Sequence, residues 1–227
     1  MRLALVGHGR MGRLVEAQAR AAGHEVTAII EAGDRLDRAA LRGAEVAIEF
    51  TAPAAAPGNL VALAEAGVAT VCGTTGWYDH LPAVRAAVER HGTALLHAPN
   101  FSIGVQLLLR AARELARGLR ERAGFDAFIV EAHHAAKQDA PSGTALRLQE
   151  VLRGADPSRA WPITSIRAGA IPGTHTLTVD APAEQLELRH EARTRDAFAA
   201  GALQAAAWLA GRQGVFTFEE MLFGREG

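Results

Sequence analysis

The sequence predicts an α/β chain in two parts, a doubly wound parallel sheet followed by a smaller mixed α/β region. Three observations carry that expectation. Short apolar strands alternate with helical patterns from residue 2 to residue 97, a glycine-rich turn separates the first strand from the first helix, and the pattern changes after Asn100. The first part spans residues 1–103, with the tail, about residues 199–227, expected to pack back on it, and the second spans residues 104–198.

Residues 2–7 read as a buried strand, and Met11, Leu14, Val15 and Ala19 set the helical spacing that follows until Gly23 ends it. The β-branched run 26–30 is a second strand and 46–50 a third. A helix over 60–66, a strand over 69–72, a helix over 82–90 and a strand over 94–97 continue the alternation. Beyond Asn100, Val105, Leu108, Leu109, Ala112 and Leu115 place one long amphipathic helix over 104–122. A strand over 125–132 and a helix opening near Ser142 come next. Three alternating runs near 163–168, 174–180 and 185–191, broken by Gly169, Pro172-Gly173 and Pro182, predict a mixed or antiparallel sheet. The helix 195–211 closes the pattern, and residues 215–223 are placed back on the first part.

Composition narrows the classes of function. The 227 residues are 49% hydrophobic and 22% charged, enough to bury a core, with charges too frequent for a membrane-spanning run. A net charge of -1 with scattered arginines gives no nucleic-acid or membrane footprint, so a small molecule is the expected partner and the cytoplasm the expected location. The lone Cys72 excludes a disulfide framework and reads as a buried small side chain. All of the 24 basic residues except Lys137 are arginine, which marks that position as one where a compact ammonium is wanted.

The turn Gly7-His8-Gly9-Arg10-Met11-Gly12 fits G-x-G-x-x-G between a strand and a helix. In that context the first glycine makes the turn, the second admits a pyrophosphate and the third lets the helix pack on the strand. The helix N-terminus adds N–H donors and partial positive charge. Glu31 falls at the end of the second strand, where a carboxylate accepts from ribose hydroxyls; it would repel a 2′-phosphate, while Arg10 and Arg35 lie close enough in sequence to counter it. Two more loops, Gly73-Thr74-Thr75-Gly76 and Ala98-Pro99-Asn100-Phe101-Ser102, follow strands at the edge where open α/β sheets bind ligands. A nicotinamide coenzyme, NADH or NADPH, is expected there.

The segment from Glu131 to Leu146 concentrates His133, His134, Lys137 and the helix start Ser142-Gly143-Thr144. Pro141 keeps Ala140 out of helical geometry and Ser142 is a good N-cap, so the exposed N–H groups can take a carboxylate. An imidazole and an ammonium beside it suit proton transfer. No metal is expected, since neighbouring strand residues point to opposite faces and no ligand set completes a coordination sphere.

Glu131-Ala-His133-His134 with Lys137 and Asp139-Ala-Pro-Ser-Gly-Thr144-Ala-Leu resembles the signature of the 4-hydroxy-tetrahydrodipicolinate reductases. The likeness extends to the glycine loop, Gly73-Thr74-Thr75-Gly76, Asn100-Phe101-Ser102, Arg167-Ala-Gly169 and Gly173-x-His175. It implies a Rossmann-like nucleotide domain, a substrate and oligomerisation domain, a homotetramer, and reduction of a cyclic dicarboxylate by NADH or NADPH in diaminopimelate and lysine biosynthesis. By the same resemblance His133 and Lys137 are the acid/base or proton-donating pair, and His134, Gly143 and Thr144 are carboxylate ligands. Gly7 to Gly12, Glu31, Gly73 to Thr75 and Ala98 to Phe101 are implied nucleotide contacts. The sequence departs from the family in a short segment 32–44 and in Ala32, where many members carry arginine. Both departures count against a preference for NADPH, and NADH is expected to serve at least as well.

Two other readings use the same glycine loop: a nicotinamide-dependent oxidoreductase of another small acid or sugar, and a non-catalytic nucleotide sensor. The cluster His133, His134, Lys137, Ser142, Gly143 and Thr144 weighs against both.

Overall fold

A computed structural model describes residues 1–224 of the chain in two compact units, Met1–Phe101 with the segment from Arg195 onward, and Ser102–Thr194. The first is built on a six-stranded sheet of order β10-β5-β4-β3-β1-β2, in which every pairing is parallel. Its strands are β1 (Arg2–Val6), β2 (Glu25–Ile30), β3 (Val46–Glu49), β4 (Ala69–Cys72), β5 (Ala94–His97) and β10 (Gly214–Thr217), with helices α1 (Arg10–Ala21), α2 (Ala56–Glu65), α3 (Leu81–Arg90), α6 (Asp196–Leu209) and α7 (Phe218–Phe223).

Both faces of the sheet are covered, so its strands are apolar on both. Leu3 and Leu5 of β1 pack with Val15 and Ala19 of α1 and with α6, whereas Ala4 and Val6 turn to Ala28, Ile30, Leu41 and Leu63. The alanines of α6 explain how it lies so close. Ala199, Ala202, Ala205 and Ala206 are fully buried, and a Cβ on Gly201 would collide with the Phe101 carbonyl. The tail supplies a sheet strand as well as packing: β10 pairs with β5 from Gly214↔Ala94 to Thr217↔His97.

Helix α2 starts at Ala56, four residues before the expected boundary, because Pro57 sits in its first turn, where a missing N–H costs nothing. Helix α4 (Ile103–Leu119) ends before Arg122.

In the second unit, α4 and α5 (Gly143–Ala155) cover one face of a four-stranded sheet of order β7-β6-β8-β9. Strand β6 (Asp126–His133) pairs in parallel with β7 (Ile163–Arg167) and antiparallel with β8 (Thr174–Ala181), which pairs antiparallel with β9 (Glu184–Glu191). The sheet is therefore mixed. Ile129, Leu148, Leu152, Trp161 and Leu177 fill its core, and Trp161 Nε1 donates to the Asp156 carbonyl at 3.1 Å, so the indole is buried without an orphaned donor.

Candidate active site

The candidate nucleotide edge of the first unit is built on three loops at the carboxyl ends of β1, β3 and β4, flanked by the ends of β2 and β5. Gly7 has φ +91°, and a Cβ there would strike the Phe50 carbonyl; a Cβ on Gly12 would strike the Gly7 carbonyl. Space above Gly9 is open, with nothing within 4 Å of where its Cβ would be, and no side chain caps α1. The turn is thus bare backbone closed on the protein side and open on the other, which fits a pyrophosphate. His8 Nε2 is 2.7 Å from Glu16 Oε2, so its ring is held against α1. Arg10 is exposed, and Met11 packs on the core.

Glu31 is exposed just past β2, with its backbone N–H donating to Asp34 Oδ2 at 2.8 Å. Asp34 is thus a second acid at the expected ribose position, and it borders a hollow of about 530 Å³ with Ile30, Arg35 and Arg42. At the third loop, Thr74 is buried. Its hydroxyl accepts from the Thr51 N–H at 2.8 Å, and its carbonyl accepts from Trp77 Nε1 at 2.8 Å. Gly73 abuts the Phe50 ring, while Thr75 is exposed. Ala98 and Phe101 are buried, Phe101 stacking near Phe218 with centroids 4.9 Å apart, so any ligand contact by Phe101 comes from its backbone. Pro99 is exposed and Asn100 half-buried.

Sequence reasoning missed the β3 exit. Glu49 is fully buried and accepts from Cys72 Sγ at 3.1 Å and from the Thr51 hydroxyl, joining β3 to β4 under the loops. The signal was available: Phe50 and Thr51 follow a strand on the same sheet edge as the other loops.

The substrate candidates lie in the second unit. His133 ends β6 with its ring buried, and His134 begins the following turn, half-buried. That turn is closed by the Lys137 N–H donating to the His134 carbonyl at 3.1 Å, and it is tied to β7 by Ala168 N–H to His133 O at 3.0 Å and Ala135 N–H to Gly169 O at 3.1 Å. Lys137 Nζ donates to Asp139 Oδ1 at 2.6 Å. Ser142 caps α5, its hydroxyl accepting from the Ala145 N–H at 3.2 Å and lying 3.0 Å from His175 Nε2. Being 2% exposed, that hydroxyl is committed to holding the helix end open. Gly143 is exposed and Thr144 half-buried in the first turn of α5.

Beneath these residues runs a charged network that the sequence did not reveal. Glu131, fully buried on the same face of β6 as His133, accepts from His133 Nδ1, from an Arg167 terminal nitrogen at 2.6 Å and from the Ser142 N–H at 3.2 Å. The same Arg167 nitrogen donates to the Asp139 carbonyl at 2.6 Å. Burial opposes the charge on Glu131, but the hydrogen bonds from Arg167, Ser165 and His133 overcome it and hold the carboxyl at about 2. Burial lowers the pKa of His133, Glu131 opposing the shift and Lys137 and Arg167 adding to it. His175, 5.2 Å from His133 between ring centroids, is pushed down to about 4 by burial and by His133.

One donor grouping that the sequence did not reveal forms across β6 and β8. Glu131, His133 and His175 each place one donor atom within 4.8 Å of the others, because β6 and β8 pair with Glu131 opposite His175. The carboxylate of that group already carries a guanidinium, an imidazole and a backbone N–H, the arrangement of a hydrogen-bond network.

Residues 1–101 match the family model described as dihydrodipicolinate reductase, N-terminus, and residues 104–222 match dihydrodipicolinate reductase, C-terminus. The chain belongs to the dihydrodipicolinate reductase family. Within it, a 4-hydroxy-tetrahydrodipicolinate reductase of Christiangramia forsetii is 33% identical over 98% of each chain. The enzyme of the same name from Myxococcus xanthus is 42% identical over 79% of this chain and 72% of its own. In fold the chain is similar to a dipicolinate-bound dihydrodipicolinate reductase from Paenisporosarcina sp. TG-14, with a TM-score of 0.84 at 22% identity, covering 97% of this chain and 99% of that one. A more distant likeness joins it to an amine dehydrogenase of Mycobacterium smegmatis, with a TM-score of 0.61 at 11% identity. Membership makes the chain an oxidoreductase of a nicotinamide-dependent family. Among the described residues no helix is long and apolar enough to cross a membrane.

Proposed function

We propose that this chain reduces 4-hydroxy-tetrahydrodipicolinate to tetrahydrodipicolinate, in the diaminopimelate route to lysine, using either NADH or NADPH. The observation that carries the reading is the joining of His133, Lys137 and the α5 opening by one network in the second unit of a chain with this family's two parts. Gly7 to Gly12, Glu31, Gly73 to Thr75 and the backbone of 98–101 would hold the coenzyme, and the bare turn at Gly7 and Gly9 fits its pyrophosphate. When bound, the nicotinamide supplies a hydride.

The chain's own residues bind and protonate. The N–H groups at Gly143 and Thr144, with His134, hold the substrate's carboxylates, where partial positive charge at a helix end favours an anion. Lys137 adds a full positive charge and His133 a proton-transferring nitrogen. Half-burial of Lys137 strengthens that charge relative to open water. The decisive assay follows oxidation of NADH and of NADPH with substrate freshly generated from pyruvate and aspartate semialdehyde. Absence of oxidation with both coenzymes overturns the reading.

The proposal extends to a cytoplasmic homotetramer. Opposite the helix-covered face of the four-stranded sheet, Phe128, Val130 and Ala132 are only half-buried and Ile166 is 43% exposed, an apolar strip suited to a second copy of the same face. Light scattering on the purified chain should give four subunits, and Ile166→Arg should reduce that number. A monomer at micromolar concentration would refute it.

A further inference from the structure

The geometry points to Glu131 as the positioning residue of the substrate site, its two carboxylate oxygens orienting the His133 ring and fixing the opening of α5. This rests on the reductase reading for its consequence, but its evidence is independent. One oxygen, Oε2, accepts from His133 Nδ1; the other, Oε1, accepts from Arg167 and from the Ser142 N–H. Through Arg167 the same carboxylate reaches the Asp139 carbonyl, next to the side chain that holds Lys137. One buried group therefore sets the imidazole, the helix end and the lysine turn.

The tautomer follows from charge. An ionised carboxylate only accepts hydrogen bonds, so Nδ1 of His133 must carry a proton and Nε2 is left as the nitrogen that gains or gives one. Nε2 lies along the bare backbone of Gly173, where an added Cβ would come within 3.0 Å of it. Gly173 has φ +150°, in the range that favours glycine, so the chain keeps that edge of the imidazole free of a side chain. The charged and titratable groups around His133 are Glu131 on β6, Arg167 on β7, His175 on β8 and Lys137 on the turn, with Asp139 paired to Lys137. Glu131 favours the imidazolium, and Lys137 and Arg167 oppose it. An ion pair this deeply buried is weak as a source of stability, which leaves orientation as the role its geometry serves.

Glu131→Gln keeps the size and removes the charge; Glu131→Asp keeps the charge and shortens the reach. Nitrogen NMR of histidine-labelled protein, with the His133 signal assigned by its loss in His133→Gln, should show Nδ1 protonated and Nε2 bare at neutral pH. In Glu131→Gln the same ring should titrate at lower pH, the alkaline limb of the kcat profile should move to lower pH with it, and kcat should fall roughly 10²-fold while coenzyme affinity holds. Glu131→Asp should recover part of both. A protonated Nε2 with bare Nδ1 in the unaltered protein overturns the proposal, even if Glu131→Gln does not fold. A loss of kcat in Glu131→Gln with the His133 titration unmoved also overturns it, reducing Glu131 to a structural ion pair. Failure of the reductase reading would appear differently, as no coenzyme oxidation by the unaltered protein while the tautomer remains measurable.

Discussion

Lys137 Nζ donates to Asp139 Oδ1 at 2.6 Å, so the chain's sole lysine points its ammonium at a carboxylate two residues along the same turn. Asp139 is itself held below its ordinary range by that bond, and its carbonyl is fixed by Arg167. The turn presents a compact, oriented cation.

Lys137→Arg should therefore keep the charge and lose the chemistry. A guanidinium hardly deprotonates, and its planar fork would pair with Asp139 in a different geometry. The expected loss is roughly 10² to 10⁴ in kcat at saturating substrate, with coenzyme binding unchanged in a separate titration. Near-normal turnover would leave Lys137 an electrostatic role only.

On coenzyme preference, NADH should bind at least as well as NADPH. Glu31 and Asp34 put two acids at the end of β2, Ala32 brings no cation, and Arg35 is already paired with Asp37. Calorimetric titration of both coenzymes decides the point. A tenfold preference for NADPH, about 1.4 kcal/mol, would defeat it, and Ala32→Arg should move the ratio toward NADPH.

Pyridine-2,6-dicarboxylate should compete with substrate at the α5 opening. Gly143 is the first helical residue after the Ser142 cap, so Gly143→Pro removes one N–H while suiting the backbone there. Binding that is indifferent to both Gly143→Pro and Thr144→Val would show that the helix end is not the carboxylate site.

Acid should weaken the fold through His175. Its pKa is about 4 against an ordinary 6.5, so between those values the folded chain binds fewer protons than the unfolded chain and stability falls as pH falls. From pH 7 to pH 5 this single group should remove about 2 kcal/mol. Glu131, held at about 2 against 4.5, acts mainly below that window, its contribution being lost as pH falls through 4.5 toward 2. Denaturant unfolding at the two pH values, with His175→Gln alongside, measures the effect. An equal loss in both proteins would refute the assignment.

Periodicity and local chemistry made much of the molecule legible. The β1 to α1 glycine turn, the alternation through β5, the long α4 and the Ser142 cap were readable because each is decided by a few neighbouring residues, through side-chain spacing, a missing Cβ or a cap. Lys137 stood out by composition alone. By itself the sequence thus determined the fold class, the glycine turn between β1 and α1 and the segment that carries the substrate candidates. What only the tertiary structure decided depends on residues distant in the chain. The pairing of β10 with β5, the contact of Thr51 with Thr74, and the placement of Arg167 and His175 around Glu131 arise from strand register and return crossings. Glu131 reads in sequence as one acid in an apolar strand. Its charge becomes tolerable, and useful, only when β7 brings a guanidinium to it and α5 brings an N–H, since a carboxylate removed from water needs those partners to stay ionised.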